Sequence, residues 1–263
     1  MQVANNSPRR VRSMPRSKRR IDIIFALLGL IISFPLFVFV AIAIWLEDGW
    51  PIIFRQRRIG LKGRIFSIYK FRKFSNRECS PSSHVTLTDD ARYSRVGKFL
   101  DKTKLNELPQ LVNVLRGDMS IIGPRPEIPE FSHCFRGRHQ TLLDIVPGIF
   151  GPSQTIFRNE ATLYPSNQDA DQFYEKVLFP EKADIDLQYY SKATNASDMR
   201  WIYRSLMAVF ASRYDANSGP LVHGADQDRA AQLRQNGPAP STDEPSLHGI
   251  NQTSGVKRLN SIK

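Results

Sequence analysis

The stretch IIFALLGLIISFPLFVFVAIAIWL, residues 23–46, decides how this chain is organised. It contains no charged residue, and it is long enough to cross the hydrocarbon core of a bilayer, which takes about 20 apolar residues as a helix. A secretory signal would have a shorter apolar core and a small-residue cleavage site. Here the run closes as Ala43-Ile44-Trp45-Leu46-Glu47-Asp48, which argues against cleavage. Trp45 and Trp50 stand where interfacial aromatic anchors belong.

The flanks of this run carry charge of one sign. Arg9, Arg10, Arg12, Arg16, Lys18, Arg19 and Arg20 precede it, and Arg55, Arg57, Arg58, Lys62 and Arg64 follow it. Basic residues hold loops on the cytoplasmic side, so both ends are drawn to the same face. A helix that enters, breaks and returns satisfies both. Ser33 and Pro35 mark the expected break, because Pro35 removes a backbone donor and Ser33 can satisfy freed backbone groups. A kinked spanning helix is the alternative, since membrane helices tolerate Pro.

Downstream, Ile52-Ile53-Phe54 and Ile65-Phe66-Ser67-Ile68-Tyr69, separated by Gly60 and Gly63, predict a β-hairpin. Residues 75–90 read as a polar loop. Helices are expected over Val96–Lys102 and from Asn106, the latter presenting Leu108, Leu111, Val112 and Leu115 and stopping at Gly117. Ile121-Ile122-Gly123-Pro124-Arg125-Pro126 reads as a short strand breaking into a rigid turn, and Pro147-Gly148 as the opening of a loop. Residues 169–193 read as helical. Residues 199–212 form an amphipathic pattern bordered by Arg200, Arg204 and Arg213, which suits either a membrane surface or a domain core. The divisions are a basic segment 1–17, a membrane helix 18–50, a catalytic domain 51–213 and a disordered tail 214–263, rich in Gly, Pro, Ser, Asn and Gln.

The 263 residues carry a formal net charge of +12. That balance suits nucleic acid, phospholipid headgroups or a phosphorylated substrate. No groove-reading helix or RNA platform is recognisable, so nucleic acid is not expected as a partner. Cys79 and Cys134 lack metal-ligand spacing and read as free thiols.

Several short segments carry chemistry. Lys70-Phe71-Arg72 ends a strand with two cations, and Asp90-Ala91-Arg92 precedes Arg95. Pro109 belongs in the first turn of a helix, which makes Asn106 the expected N-cap and puts Glu107 at the positive end of the helix dipole. Asp118 and Arg125 add a carboxylate and a guanidinium. Carboxylates that hold Mg²⁺, with fixed cations to offset charge on a transferring group, are what phosphoryl chemistry requires.

In this order, behind a charged apolar helix, the segments resemble the bacterial sugar transferase family, the monotopic polyprenyl-phosphate phosphoglycosyl transferases. The matching stretches are Lys18-Arg19 with Asp22, Phe54 to Gly60, Phe66 to Arg72, Asp90 to Arg92, Arg95-Val96-Gly97, Glu107 to Leu111, Asn113 to Ser120, Gly123 to Pro126 and Pro147-Gly148-Ile149. The resemblance covers about residues 18–213 and is most specific over 105–126. It implies an α-rich α/β domain seated on the cytoplasmic face of a bacterial inner membrane through a re-entrant helix. It further implies Mg²⁺, a UDP-sugar donor and an undecaprenyl-phosphate-type acceptor. The activity expected is transfer of a sugar-1-phosphate to the lipid, the first membrane step of polysaccharide or glycoconjugate synthesis, alongside other assembly proteins.

By the resemblance, Glu107, Asn106 and Asp118 are catalytic, Glu107 and Asp118 hold the metal, and Lys70, Arg72, Arg92 and Arg125 bind substrate phosphate. Three departures stand out. The family's Asp-Glu dyad is Asn106-Glu107 here, Lys73-Phe74 replaces the usual Thr-Met, and Phe34 separates the helix-breaking Ser33 and Pro35. The Asp of that dyad is the family's nucleophile, and an amide lacks the carboxylate charge for that step. A membrane-tethered scaffold without activity is therefore the second expectation.

Overall fold

The computed structural model describes residues 15–75, 92–158, 160–165 and 169–210. Cys79, Asp90, Ala91, Arg213, most of the basic segment 1–17, the polar loop from residue 76 onward and the 214–263 tail lie outside the described residues.

Helix α1 runs from Arg16 to Asp48. It is the one described helix long and apolar enough to cross a membrane. The break expected at Ser33 and Pro35 is a continuous helix in the structure. Pro35 withholds one backbone donor, and the Ser33 hydroxyl donates to the Gly29 carbonyl at 2.5 Å, a back-bond that bends helices without ending them. Asp22, Ala26, Val40 and Ile44 are buried along one stripe. Ile31, Ile32, Phe34, Phe39 and Leu46 project outward, each about two-thirds exposed or more.

Both ends of α1 dock on the same folded unit. At the start, Arg19 donates to the carbonyls of Val114 and Leu115 at 2.6 and 2.9 Å, and Lys18 pairs with Asp198 at 2.6 Å. The buried Asp22 carboxylate accepts from Ser120 Oγ at 2.9 Å and from the Ile121 N–H at 3.0 Å. At the far end, Glu47 accepts from the N–H groups of Arg95 and Val96 at 2.7 and 2.9 Å, and Ser75 donates to Asp48 at 3.0 Å.

Strands β1 (Ile53–Ile59) and β2 (Ile65–Phe71) form the expected antiparallel hairpin, with Ile53 opposite Phe71 and Ile59 opposite Ile65. Helix α2 (Arg95–Thr103) starts at Ser94, whose hydroxyl accepts from the Gly97 N–H. Gly97 is required there, because a Cβ would lie 1.8 Å from the Lys73 carbonyl oxygen. Lys104, in the left-handed region at φ 58°, ends α2 and turns the chain straight into a tight turn, Leu105–Glu107.

Helix α3 is Gln110–Arg116, closed by Gly117 at φ 91°. The expected start at Asn106 is therefore corrected. Lys104 leaves no extended residue before the turn, so Asn106 sits inside it, 2% exposed, and caps nothing. Pro109 instead occupies the position before α3, where no N–H is needed. The Asn113 side chain, fully buried, accepts from the Tyr69 N–H at 3.0 Å and donates to the Ser67 carbonyl at 2.7 Å, standing in for a third strand along β2.

Strand β3 (Ser120–Ile122) pairs in parallel with β4 (Gly148–Phe150). The segment after Pro147 thus continues as a strand rather than a loop. A Cβ on Gly148 would meet the Gly123 nitrogen at 2.0 Å, so the close approach of the two segments depends on glycine. Helices α4 (Pro152–Ile156), α5 (Ala170–Phe173), α6 (Phe179–Tyr190) and α7 (Asn195–Phe210) complete the unit, with a π-helical turn at Tyr174–Leu178 joining α5 to α6.

Three apolar clusters hold these pieces. Ala26 of α1 packs in a cluster with Ile68, Val114, Met119, Ile121, Ile122, Ile149 and Ile202. Val40 and Ile44 of α1 share a second with Phe71 and Leu100. Phe131, Phe157, Tyr174, Leu178 and Phe179 anchor a third under α5 and α6. Ile202 turns α7 inward, while Met199, Tyr203 and Met207 face out.

Asp22 is the polar hinge-pin of this arrangement. Asp22→Ala strips the buried hydroxyl of Ser120 and N–H of Ile121 of their acceptor, which should cost about 2–3 kcal/mol. The measurement is the thermal unfolding midpoint of the detergent-solubilised chain. Asp22→Asn, which keeps one acceptor oxygen, should fall between wild type and Ala.

Candidate active site

A cleft of about 230 Å³ opens between the hairpin, the turn at residues 104–107, the Pro124-Arg125-Pro126 segment and helices α4 and α6. Seven basic and four acidic side chains line it. Glu107 is a hub among them. Lys70, on β2 opposite Phe54, donates to Glu107 Oε1 at 3.0 Å, and Arg125 Nη1 lies 3.6 Å from the same oxygen. Arg58 reaches in from β1, with Nη1 donating to the Pro126 carbonyl at 3.0 Å and Nη2 to Gln56 at 2.7 Å. Lys73 pairs with Asp101 at 2.9 Å and donates to the Tyr93 hydroxyl at 3.1 Å.

Burial by itself would raise the Glu107 carboxyl, but Lys70, Arg125 and Lys104 outweigh it and hold Glu107 well below the usual carboxylate range. Lys70 is lowered to about 7 by burial, against the pull of Glu107 and with Arg125, Arg58 and Lys73 adding to the effect. Burial opposes the charge on Arg125 too, yet Glu107, Glu160 and Glu127 raise it overall. The result is one ionised carboxylate inside a ring of cations, an arrangement ready to receive further negative charge.

The cleft lining also holds two further carboxylates, Glu127 and Glu160, together with Arg158 and Lys182. Tyr174 donates its hydroxyl to Glu127 Oε1 at 2.6 Å. Lys182 donates to Glu160 Oε2 at 2.8 Å and to the Tyr174 hydroxyl at 3.3 Å.

Of the residues expected from the sequence, Glu107, Asn106, Lys70 and Arg125 meet in this cleft. Asn106 Oδ1 is buried and makes no hydrogen bond among the described residues. Three others lie elsewhere. Arg72 donates to the Gly49 carbonyl at 2.9 Å, tying β2 to the end of α1. The Arg92 guanidinium stands over the Phe74 ring, 4.5 Å from its centroid. Asp118 follows Gly117 beyond the far end of α3 and is not among the residues that line the cleft, so the expected pair of Glu107 and Asp118 is not brought together there. No cluster of three or more His, Cys, Asp or Glu side chains suited to a metal exists among the described residues. Sequence reasoning passed over Lys104, Glu127, Glu160, Tyr174 and Lys182 as site residues. Cys134 is a free, half-buried thiol pushed up to about 11 by burial and by Glu175 and Glu127, as an inert cysteine should be.

The bacterial sugar transferase family model matches residues 13–212, a stretch that contains α1, the hairpin and every cleft residue. The chain belongs to the bacterial sugar transferase family. Among similar proteins, the exopolysaccharide production protein ExoY of Sinorhizobium fredii is 30% identical to this sugar transferase over 212 residues, which are 75% of this chain and 87% of that protein. The galactosyl transferase CpsE of Streptococcus agalactiae is 34% identical over 204 residues, 73% of this chain and 42% of that protein. The UDP-glucose:undecaprenyl-phosphate glucose-1-phosphate transferase of Escherichia coli is 38% identical over 200 residues, 74% of this chain and 40% of that protein. The sugar transferase thus spans nearly all of ExoY but less than half of the two longer relatives.

Behind the Pro124-Arg125-Pro126 segment, a small void of about 30 Å³ is lined by Ser153 and Asp186. Asp186 on α6 lies 2.8 Å from Ser153 Oγ and accepts from the Ser153 N–H at 3.2 Å, and burial pushes its carboxyl up to about 7. The folded state therefore binds a proton that the unfolded state, near 3.8, has released. Stability from this group is full below 3.8 and is lost as pH rises through about 7. Chemical denaturation across that interval should show wild type losing stability relative to Asp186→Asn. Parallel curves for the two proteins would assign the proton elsewhere.

Proposed function

We propose that the chain moves a sugar-1-phosphate from a UDP-sugar to a polyprenyl phosphate of the undecaprenyl type, at the cytoplasmic face of a bacterial inner membrane. The observation that carries this reading is a half-buried carboxylate, Glu107, ringed by Lys70, Arg125 and Lys104 in the cleft. A site of this charge stabilises a phosphoryl group in flight, and positioning is most of what phosphoryl transfer demands. The relatives' names point the same way. The Escherichia coli protein is named for glucose-1-phosphate transfer to undecaprenyl phosphate, and a Bacillus subtilis relative, 44% identical over 119 residues, for N-acetylgalactosaminyl 1-phosphate transfer.

In the reaction proposed, an oxygen attacks the donor's sugar-bearing phosphorus, the bond to the bridging oxygen breaks, and UMP leaves. We assign the first attack to Glu107, the ionised carboxylate nearest the place of the family's nucleophile, with lipid phosphate then displacing the carboxylate. Lys70, Arg125 and Lys104 offset the charge that develops. Mg²⁺ fits this site. The unpartnered amide oxygen of Asn106 and the Glu107 carboxylate are hard oxygen ligands, and Mg²⁺ is commonly held by one or two such groups together with substrate phosphates. The ion would supply neutralisation of the diphosphate.

The test is UMP release by the purified chain with a panel of UDP-sugars and polyprenyl phosphate. Glu107→Gln should lower it by at least about 100-fold, the scale of losing a preorganised charge, and chelation of bound metal should abolish it. Labelled donor without lipid should leave label on wild type and release UMP. UMP that appears only when lipid is added would instead mean direct transfer, with Glu107 holding Lys70 and Arg125 in place. No turnover with any donor would favour an inactive scaffold, the reading that Asn106 supports.

For the membrane, we propose that α1 enters and returns to one face, bent at Pro35 rather than broken. A spanning helix places its ends on opposite sides of a hydrocarbon layer about 30 Å thick. Here Arg19 and Asp22 at one end and Glu47 and Asp48 at the other are bound to one polar unit. The outward Met199, Tyr203 and Met207 of α7 suit the same interface. In a background lacking Cys79 and Cys134, Asn5→Cys and Lys62→Cys should be labelled from the cytoplasmic side together. Labelling from opposite sides would establish a spanning helix.

A further inference from the structure

Three carboxylates, Glu107, Glu127 and Glu160, act on Arg125 electrostatically. Each is answered by further cations: Glu107 by Lys70 and Lys104, Glu127 by Arg58, and Glu160 by Lys182 and Lys104. Glu127 and Glu160 form an acidic wall beside Arg125 whose charge is already balanced, so what they offer a ligand is acceptor oxygens for hydroxyl or amide donors.

The acidic wall is built, not incidental. Glu127 is 7% exposed and is fixed by the Tyr174 hydroxyl at 2.6 Å. Tyr174 is itself 3% exposed and packs flat against Phe131, with ring centroids 4.8 Å apart. Lys182, 5% exposed, reaches both Glu160 and Tyr174 from α6. A carboxylate carries about four acceptor positions. The one named bond to Glu127 and the one to Glu160 leave acceptor capacity on each, held in a fixed direction. Phe150 and Phe157 line the same cleft and offer apolar surface to a ring.

We infer that Glu127 and Glu160, steadied by Tyr174 and Lys182, form the subsite that accepts hydrogen bonds from the hydroxyl or acylamino groups of the donor's pyranose and so select the sugar. This rests on the UDP-sugar reading above. In such a donor the sugar is bonded through one oxygen to the phosphorus under attack, so it must lie beside the group that holds that phosphate. The uracil is separated from the same phosphorus by the ribose and a second phosphate, and belongs farther away. Arg125 adjoins Glu127 and Glu160, which places the sugar beside those two carboxylates.

The test uses the full chain with UDP-glucose, UDP-galactose and their two N-acetylated counterparts, reading UMP release, and UDP as a competing ligand. Glu127→Gln and Glu160→Gln keep the shape and a partner for Tyr174 and Lys182. Each should raise KM for the preferred donor by about 10-fold or more and shrink the kcat/KM ratio between preferred and rejected sugars, because sites built to bond a substrate hydroxyl discriminate strongly. The affinity for UDP, which carries no sugar, should not fall, because removing a carboxylate charge beside Arg125 takes no attraction away from the phosphates. An unaltered sugar ratio and donor KM in both variants, with turnover intact, would overturn the subsite alone. A matching loss of UDP affinity would move these residues to the nucleotide and overturn it as well. Failure of the wild-type chain to bind or turn over any UDP-sugar would overturn the donor reading, and the subsite with it.

Discussion

An apolar helix whose two ends are both tied to one polar surface is the constraint on which the molecule rests. Lys18, Arg19 and Asp22 fasten the start of α1 to α7, α3 and β3, and Glu47 and Asp48 fasten its end to α2 and to Ser75. The carboxylates are not surface decoration. Glu47 caps another helix, and Asp22 satisfies a strand N–H, so α1 completes hydrogen bonding that the rest of the unit lacks. Removing α1 would orphan backbone groups in two separate places, each at a cost of about 1–3 kcal/mol. Anchor and domain are in that sense one cooperative object.

Charge compensation organises the cleft in a similar way. Burying Lys70, Arg58 and Arg125 together is unfavourable unless carboxylates face them. Glu107 answers Lys70 and Arg125, and Glu127 and Glu160 add to the balance around Arg125. The acids thus align the cations before any substrate arrives and raise Arg125, while Lys70 is still lowered to about 7 by burial. A site arranged in advance needs little reorganisation when charge moves through it.

How much of this was legible in the sequence depends on what each signal encodes. The absence of charge from Ile23 to Leu46 was enough for α1, Gly60 and Gly63 for the hairpin turn, and Gly117 for the end of α3. The start of α3 was misplaced because it depends on Lys104 adopting a left-handed conformation, which a lysine does not advertise. Lys70, Glu107 and Arg125 were found because they stand in dense local motifs. Arg72, Arg92 and Asp118 stand in the same motifs but direct their side chains or backbone to other tasks. Spacing along a chain does not report side-chain direction where a strand ends, as at Arg72, or beyond a helix stop, as at Asp118. Glu160 lies in a segment without pattern and Lys182 in one that reads as helical but gives no sign of chemistry, and only the packing of α6 brings Lys182 to Tyr174 and Glu160.

Asn113 has a consequence for how the cleft keeps its dimensions. Its amide reads the backbone of β2 at two successive points, the Ser67 carbonyl and the Tyr69 N–H, as a neighbouring strand would. One hydrogen-bond donor and one acceptor must match at once, so the helix cannot slide along the strand by a single residue without both becoming mismatched. Lys70 follows Tyr69 directly, and Glu107 lies less than two turns upstream of Asn113 on the helical stretch. The gap between the ammonium and the carboxylate is therefore gauged by an amide that never enters the cleft, in the manner of a vernier set on the back of an instrument.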